Sequence, residues 1–139
     1  MYWNGSIYIH SNDDVLRAYN WNAGADAGEQ LSSTATSMSA TAFGMHGATA
    51  SLSANGSNNG IIWDIDNSSY NSTNPVASGP AVLHAYDATN VANELYNSTQ
   101  AASRDQAGQA LKFTVPTIAN GRVFVPTANE LDIYGLLPQ

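Results

Sequence analysis

The sequence predicts an all-β chain built from small antiparallel sheets. Three observations carry that prediction. Short β-rich runs recur along the chain, Asn-Gly pairs precede or join several of them, and no long stretch shows 3.6-residue periodicity. The runs are Ser6 to His10, Val15 to Tyr19, Ala48 to Ala54, Gly60 to Ile65, Ala81 to Tyr86, Lys112 to Ile118, Arg122 to Pro126 and Glu130 to Tyr134. Each has the usual length of a strand. Asn4-Gly5, Asn55-Gly56 and Asn120-Gly121 stand directly ahead of strand-like runs. Asn-Gly favours the type I′ hairpin, in which both central residues take positive φ.

Composition bounds the function. The 139 residues are one domain's worth of chain, with 43% hydrophobic and only 11% charged residues. Asn, Ser, Thr and Gly fill the difference, with 15 Asn, 15 Ser, 10 Thr and 11 Gly. A net charge of −7 argues against a grip on the phosphate backbone of nucleic acid. No apolar run is long enough for a transmembrane helix, and MYWNGSIYIHSNDD lacks the basic start and apolar stretch of a signal peptide. The expectation is therefore a soluble chain without nucleic-acid or membrane partners. With no Cys there are no disulfides, thiolate metal sites or Cys nucleophiles.

The runs repeat. WNGSIYIHSNDDVLRAYNW from Trp3 and ANGRVFVPTANELDIYGLL from Ala119 both read turn, apolar strand, polar turn, then a strand with Leu-x-x-Tyr. Leu16 and Tyr19 correspond to Leu131 and Tyr134, and Leu83 and Tyr86 keep the same interval in a middle unit. There the insertion Asn67 to Pro80 lengthens the turn. His84 falls in register with Arg17 and Asp132. The chain is thus a single segment, 1–139, of three related units at about 1–40, 46–100 and 111–139. All-β meanders that repeat and cannot bury both faces alone are expected to stack as β-propeller blades.

These residues resemble the pyrroloquinoline-quinone-type (PQQ-like) β-propeller repeat. That repeat runs apolar strand, Asn-Gly or Asp-Gly, two further strands, then Ala-x-Asp-x-x-Thr-Gly and a docking tryptophan. Here Ala85, Asp87, Thr89 and Asn90 lie near that pattern, Asn90 stands in place of Gly, and Tyr96 stands near the tryptophan position. The first unit has Ala18, Asn20 and Trp21 without Thr-Gly, and the third ends at Gly135-Leu136-Leu137. The resemblance implies blades of four antiparallel strands. Only Met1 to Trp3 would remain of the first unit's innermost strand, so the chain would supply about two and a half blades where a closed ring takes about four to eight. The expected architecture is a propeller incomplete within one chain and completed by homo-oligomerisation, with two or three copies giving about six to nine blades. The other reading is a fragment of a longer propeller. No residue matches a quinone-binding motif, so dehydrogenase activity is not carried over.

Chemistry would have to come from few side chains. His10, His46 and His84 are the only imidazoles, and three His with an open position form a catalytic shell for zinc or a related divalent ion. No HExxH-like spacing supports their convergence. Asp13 and Asp14, or Asp64 and Asp66, could complete such a shell, and Asp64 and Asp66 also admit calcium; turn capping is the plainer role for all four. Arg104-Asp105 is a loop ion pair or an anion anchor. Five Asn-x-Ser/Thr sequons, at Asn4, Asn55, Asn67, Asn71 and Asn97, fit the composition. The expected function is a self-assembling β-propeller module for binding or scaffolding. The alternative is a metal-dependent hydrolase of small esters or phosphoesters, with its His site formed in the assembled ring.

Overall fold

The computed structural model describes residues 1–136. Leu137, and with it the end of the third unit, lies outside them. The chain forms three antiparallel meanders. The first sheet comprises β1 (Tyr2–Trp3), β2 (Ser6–His10), β3 (Asp14–Asn20) and β4 (Ser37–Phe43). The second comprises β5 (Ser51–Asn55), β6 (Asn58–Asp66), β7 (Val82–Asp87) and β8 (Glu94–Asn97). The third comprises β9 (Thr117–Ala119), β10 (Arg122–Pro126) and β11 (Leu131–Tyr134). In each sheet the strands lie in chain order, and among the described residues the third sheet ends at β11. No described helix is long and apolar enough to cross a membrane.

The hairpins follow the Asn-Gly pairs, with one difference. Asn4-Gly5 lies between paired Trp3 and Ser6 with φ of 45° and 79°, and Asn120-Gly121 lies between paired Ala119 and Arg122 with φ of 50° and 69°. Both have the positive φ pair of a type I′ turn. At the second pair Asn55 is instead the last strand residue and pairs with Asn58, so Gly56 and Ser57 are central. Only Gly56 of that turn has positive φ, and the left-handed residue Asn59 follows it inside β6.

Two strands escape the apolar pattern and one is shortened. β4 and β8 are outermost strands, mostly open to solvent, so they lack the alternation that marks β2 or β6. The expected strand Lys112 to Ile118 shrinks to Thr117–Ala119. Pro116 cannot donate a ladder hydrogen bond, and Phe113 sits at φ 67°.

Register makes the repeat explicit. The pairs Ile7–Tyr19, Ile62–Tyr86 and Val123–Tyr134 are equivalent, as are His10–Leu16, Ile65–Leu83 and Pro126–Leu131. Because side chains alternate across a strand, each sheet has a front face, carrying its repeat Leu, and a rear face, carrying its repeat Tyr. The fronts hold Tyr8, His10, Leu16 and Ala18, then Trp63, Ile65, Leu83 and Ala85, then Phe124, Pro126, Leu131 and Ile133. The rears hold Ile7, Ile9, Arg17 and Tyr19, then Ile62, Asp64, His84 and Tyr86, then Val123, Val125, Asp132 and Tyr134.

The sheets stack front to rear, twice. Tyr8, Leu16 and Ala18 pack with Ile62, Tyr86, Ala88 and Val91. Ile65 and Leu83 pack with Val123 and Val125, together with Ala107 and Ala110 from the connector and the half-buried Trp63, Ile118 and Tyr134. Trp3 locks the first seam: its ring lies so close to Gly60 that a Cβ there would come within 2.7 Å of it, and its indole N–H donates to the Gly56 carbonyl at 2.9 Å. A second repeat feature is polar. The Leu16 N–H donates to the Ser39 hydroxyl at 3.0 Å, and the Leu83 N–H to the Ser98 hydroxyl at 3.1 Å. Both serines are buried, and Ser39 sits at the irregular pairing of β3 with β4.

Candidate functional site

Among the described residues, the one cluster of buried ionisable side chains lies in the seam between the first and second sheets. The β2 and β6 ladders bring His10, from the first front, against Asp64, from the second rear. The His10 Nδ1 lies 2.7 Å from Asp64 Oδ2, and both side chains are essentially sealed from solvent. His10 Nε2 lies 3.0 Å from the Asp14 carbonyl, which only accepts, so Nε2 donates. Nδ1 and Oδ2 form a second hydrogen bond. Burial pushes the Asp64 carboxyl up, and the His10 hydrogen bond opposes that shift.

Asp64 is the strand partner of His84. The His84 Nδ1 lies 2.5 Å from Glu94 Oε1 on β8, and its ring stacks parallel to Tyr86 at 5.9 Å between centroids. Phe43, the last residue of β4, stands between the imidazoles, with its centroid 4.1 Å from His10 and 4.9 Å from His84. The Tyr86 hydroxyl is buried without a hydrogen-bond partner. Burial raises its pKa, and the Glu94 and Asp64 charges add to the rise; the Ser39 hydroxyl opposes it without reaching bonding geometry.

The three histidines do not form a metal shell within the chain. His10 and His84 share a seam but are wedged apart by Phe43, and the His10 nitrogens both face oxygens. His46 sits on an exposed loop whose neighbour Gly47 runs against the His10 backbone, yet its ring turns outward onto Phe113 at 5.0 Å. Among the described residues no group of three or more His, Asp or Glu is arranged to hold a metal ion.

The aspartates have plainer work. Asp14 binds Arg17 through both oxygens, at 2.7 and 2.9 Å, and the Arg17 guanidinium lowers its pKa to about 2. Asp66 accepts the Ser68 N–H at 2.7 Å and its hydroxyl. Asp13 takes positive φ in a turn and accepts from Asn12. Arg104 and Asp105 are a two-pronged ion pair, at 2.6 and 2.8 Å, rather than a free anion anchor. Asp105 also accepts from Tyr96 of β8 at 2.8 Å, and its carbonyl accepts from Tyr134 of β11 at 2.9 Å, so it ties the second sheet to the third. The Asp87–Thr89 stretch is a turn, in which Asp87 Oδ1 accepts both the N–H and the hydroxyl of Thr89. Asn71 with Thr73 and Asn97 with Thr99 repeat it, which gives two of the sequons a structural role.

Sequence reasoning missed Phe43, Glu94 and Tyr86 as parts of the cluster. Phe43 and Glu94 lie on the two unpredicted outer strands. For Tyr86 a signal existed: its place in Leu-x-x-Tyr puts it on the same face as His84, two residues away. Two open surface depressions, of about 290 and about 590 Å³, flank the connector after β8 and lie away from the histidines. Among the described residues that line them, Glu130 alone is ionisable. No protein-family model, curated protein or solved structure matches the chain.

Proposed function

We propose that this chain is a self-assembling β-propeller module of PQQ-like type that serves binding or scaffolding rather than catalysis. One observation carries the reading: like faces point the same way in all three sheets, so each front meets the next rear. Stacking in one sense is how blades follow each other around a propeller. The close approach of β5 to β9 supports it further, since blades converge at their first strands. With three sheets in each chain, two copies would bring together six, within the usual range of blade numbers.

The seam chemistry favours a structural part for the histidines. A general base needs a nitrogen that substrate can reach, and His10 offers none. The hydrolase alternative would also need His46 to swing from Phe113 toward residues sealed behind Phe43. Light scattering coupled to size exclusion tests the assembly over a micromolar concentration series. A discrete oligomer is expected. A folded monomer throughout would overturn the reading.

A further inference from the structure

We infer that one copy docks on the next head to tail, with the front of its third sheet seated on the rear of its neighbour's first sheet. The inference rests on the self-assembly proposed above and specifies its contact. Equivalent positions show why the two surfaces belong together. Every front carries an aromatic residue on its second strand and Leu on its third: Tyr8 and Leu16, Trp63 and Leu83, Phe124 and Leu131. Every rear carries a β-branched residue and Tyr as a cross-strand pair: Ile7 and Tyr19, Ile62 and Tyr86, Val123 and Tyr134. Front one on rear two, and front two on rear three, are the two seams of the chain.

Among the described residues that leaves front three and rear one without a partner, and both keep the repeat's apolar residues. On front three Leu131 is 55% and Ile133 54% exposed, where their equivalents Leu16, Leu83, Ala18 and Ala85 are buried. On rear one Ile9 is 42% exposed, and Tyr2 and Met38, its neighbours on that face, are also exposed. Apolar side chains exposed together on the two outer faces, beside the Arg17–Asp14 ion pair on rear one, mark contact surfaces. A second copy is the occupant that brings the matching half of a seam the chain already makes twice. The contact is heterologous, because the two patches differ and neither matches itself. It would resemble the apolar second seam, since front three has Pro126 where front one has His10, and rear one has Ile9 where rear two has Asp64.

Two single variants test it, Leu131→Asp on the front and Ile9→Asp on the rear. Both residues are exposed in the single chain, and circular dichroism checks that each variant keeps its fold. Each alone is expected to lose the oligomer and run at the 14.6 kDa chain mass. Mixed in equal amounts they should form a one-to-one pair at twice that mass, through the intact rear of one and the intact front of the other. If the unaltered chain is oligomeric but either variant alone keeps the oligomer, or the mixture stays monomeric, the head-to-tail contact is overturned while self-assembly stands. A monomeric unaltered chain overturns both.

Discussion

The two seams of the chain use the same repeat positions, and at one facing pair of them the chemistry is opposite. The second is apolar: Ile65 and Leu83 meet Val123 and Val125. In the first, His10 occupies the position of Ile65 and Asp64 that of Val125, so a hydrogen-bonded pair of ionisable side chains stands where the other seam has aliphatic contact. The backbone is indifferent to the change, and the pairing registers agree. Front-to-rear stacking therefore does not depend on the polar cluster. The cluster supplies directional contacts, with each ring nitrogen of His10 aimed at an oxygen, that an aliphatic seam lacks. Buried polar pairs of this kind are weak sources of net stability, yet costly to break from one side.

The largest expected effect comes from breaking it from one side. His10→Ala leaves Asp64 buried without its partner and should destabilise the chain by about 3–5 kcal/mol. Leu83→Ala, at the centre of the apolar seam, should cost about 2–5 kcal/mol through lost contact and a cavity. The two are separated by pH rather than size. Urea unfolding at several pH values should show the His10→Ala deficit shrinking toward acid, where a neutral Asp64 is less costly to bury, while the Leu83→Ala deficit stays constant. Equal pH dependence would mean that the His10–Asp64 pair carries no electrostatic weight.

Next comes the exchange of one seam's chemistry for the other's. The double variant His10→Ile with Asp64→Val gives the first seam the residue types of the second. Replacing a buried pair by well-packed aliphatic side chains is often neutral or stabilising by about 1–4 kcal/mol. The expected result is a folded chain at least as stable as the original, with assembly unchanged, because both outer faces are untouched. A double variant that unfolds, or assembles differently, would show that the polar pair specifies the stacking.

Much of this fold was legible in the sequence, and the reasons are local. SIYIH and RVFVP match their strands residue for residue, since each is bounded by Asn-Gly and a turn. The Leu-x-x-Tyr interval correctly aligned the three third strands, and with them His84, Arg17 and Asp132. SMSATAF carries no such mark: its burial is confined to Ser39 and Phe43, so neither period shows. The site was hidden for a related reason. His10 and Asp64 are 54 residues apart and meet only because one front stacks on the next rear, which no spacing motif encodes. Asn-x-Thr read as a sequon where Asn71 and Asn97 use their side chains to fold their own turns.

The smallest effect sharpens the comparison at its rims. Asp105 stands beside the second seam and ties Tyr96 to the backbone that Tyr134 reaches. The Arg104 guanidinium, and after it the Tyr96 hydroxyl, hold the Asp105 carboxyl at about 2, below the value of about 3.9 for a free Asp. A depressed folded pKa favours the fold above the free value, and that contribution is lost as the pH falls from about 4 to about 2. Asp64 runs the other way. Burial raises its carboxyl, so proton uptake there favours the fold as pH falls below the raised value. Acid should therefore loosen the second seam before the first. Hydrogen exchange stepped down from pH 5 should show amides of β10 losing protection ahead of those of β2, relative to their values at the start. Asp105→Asn should remove most of that difference by weakening β10 already at neutral pH. Simultaneous loss in both strands would mean that the three sheets open as one unit, with the rim contact at Asp105 too weak to set an order.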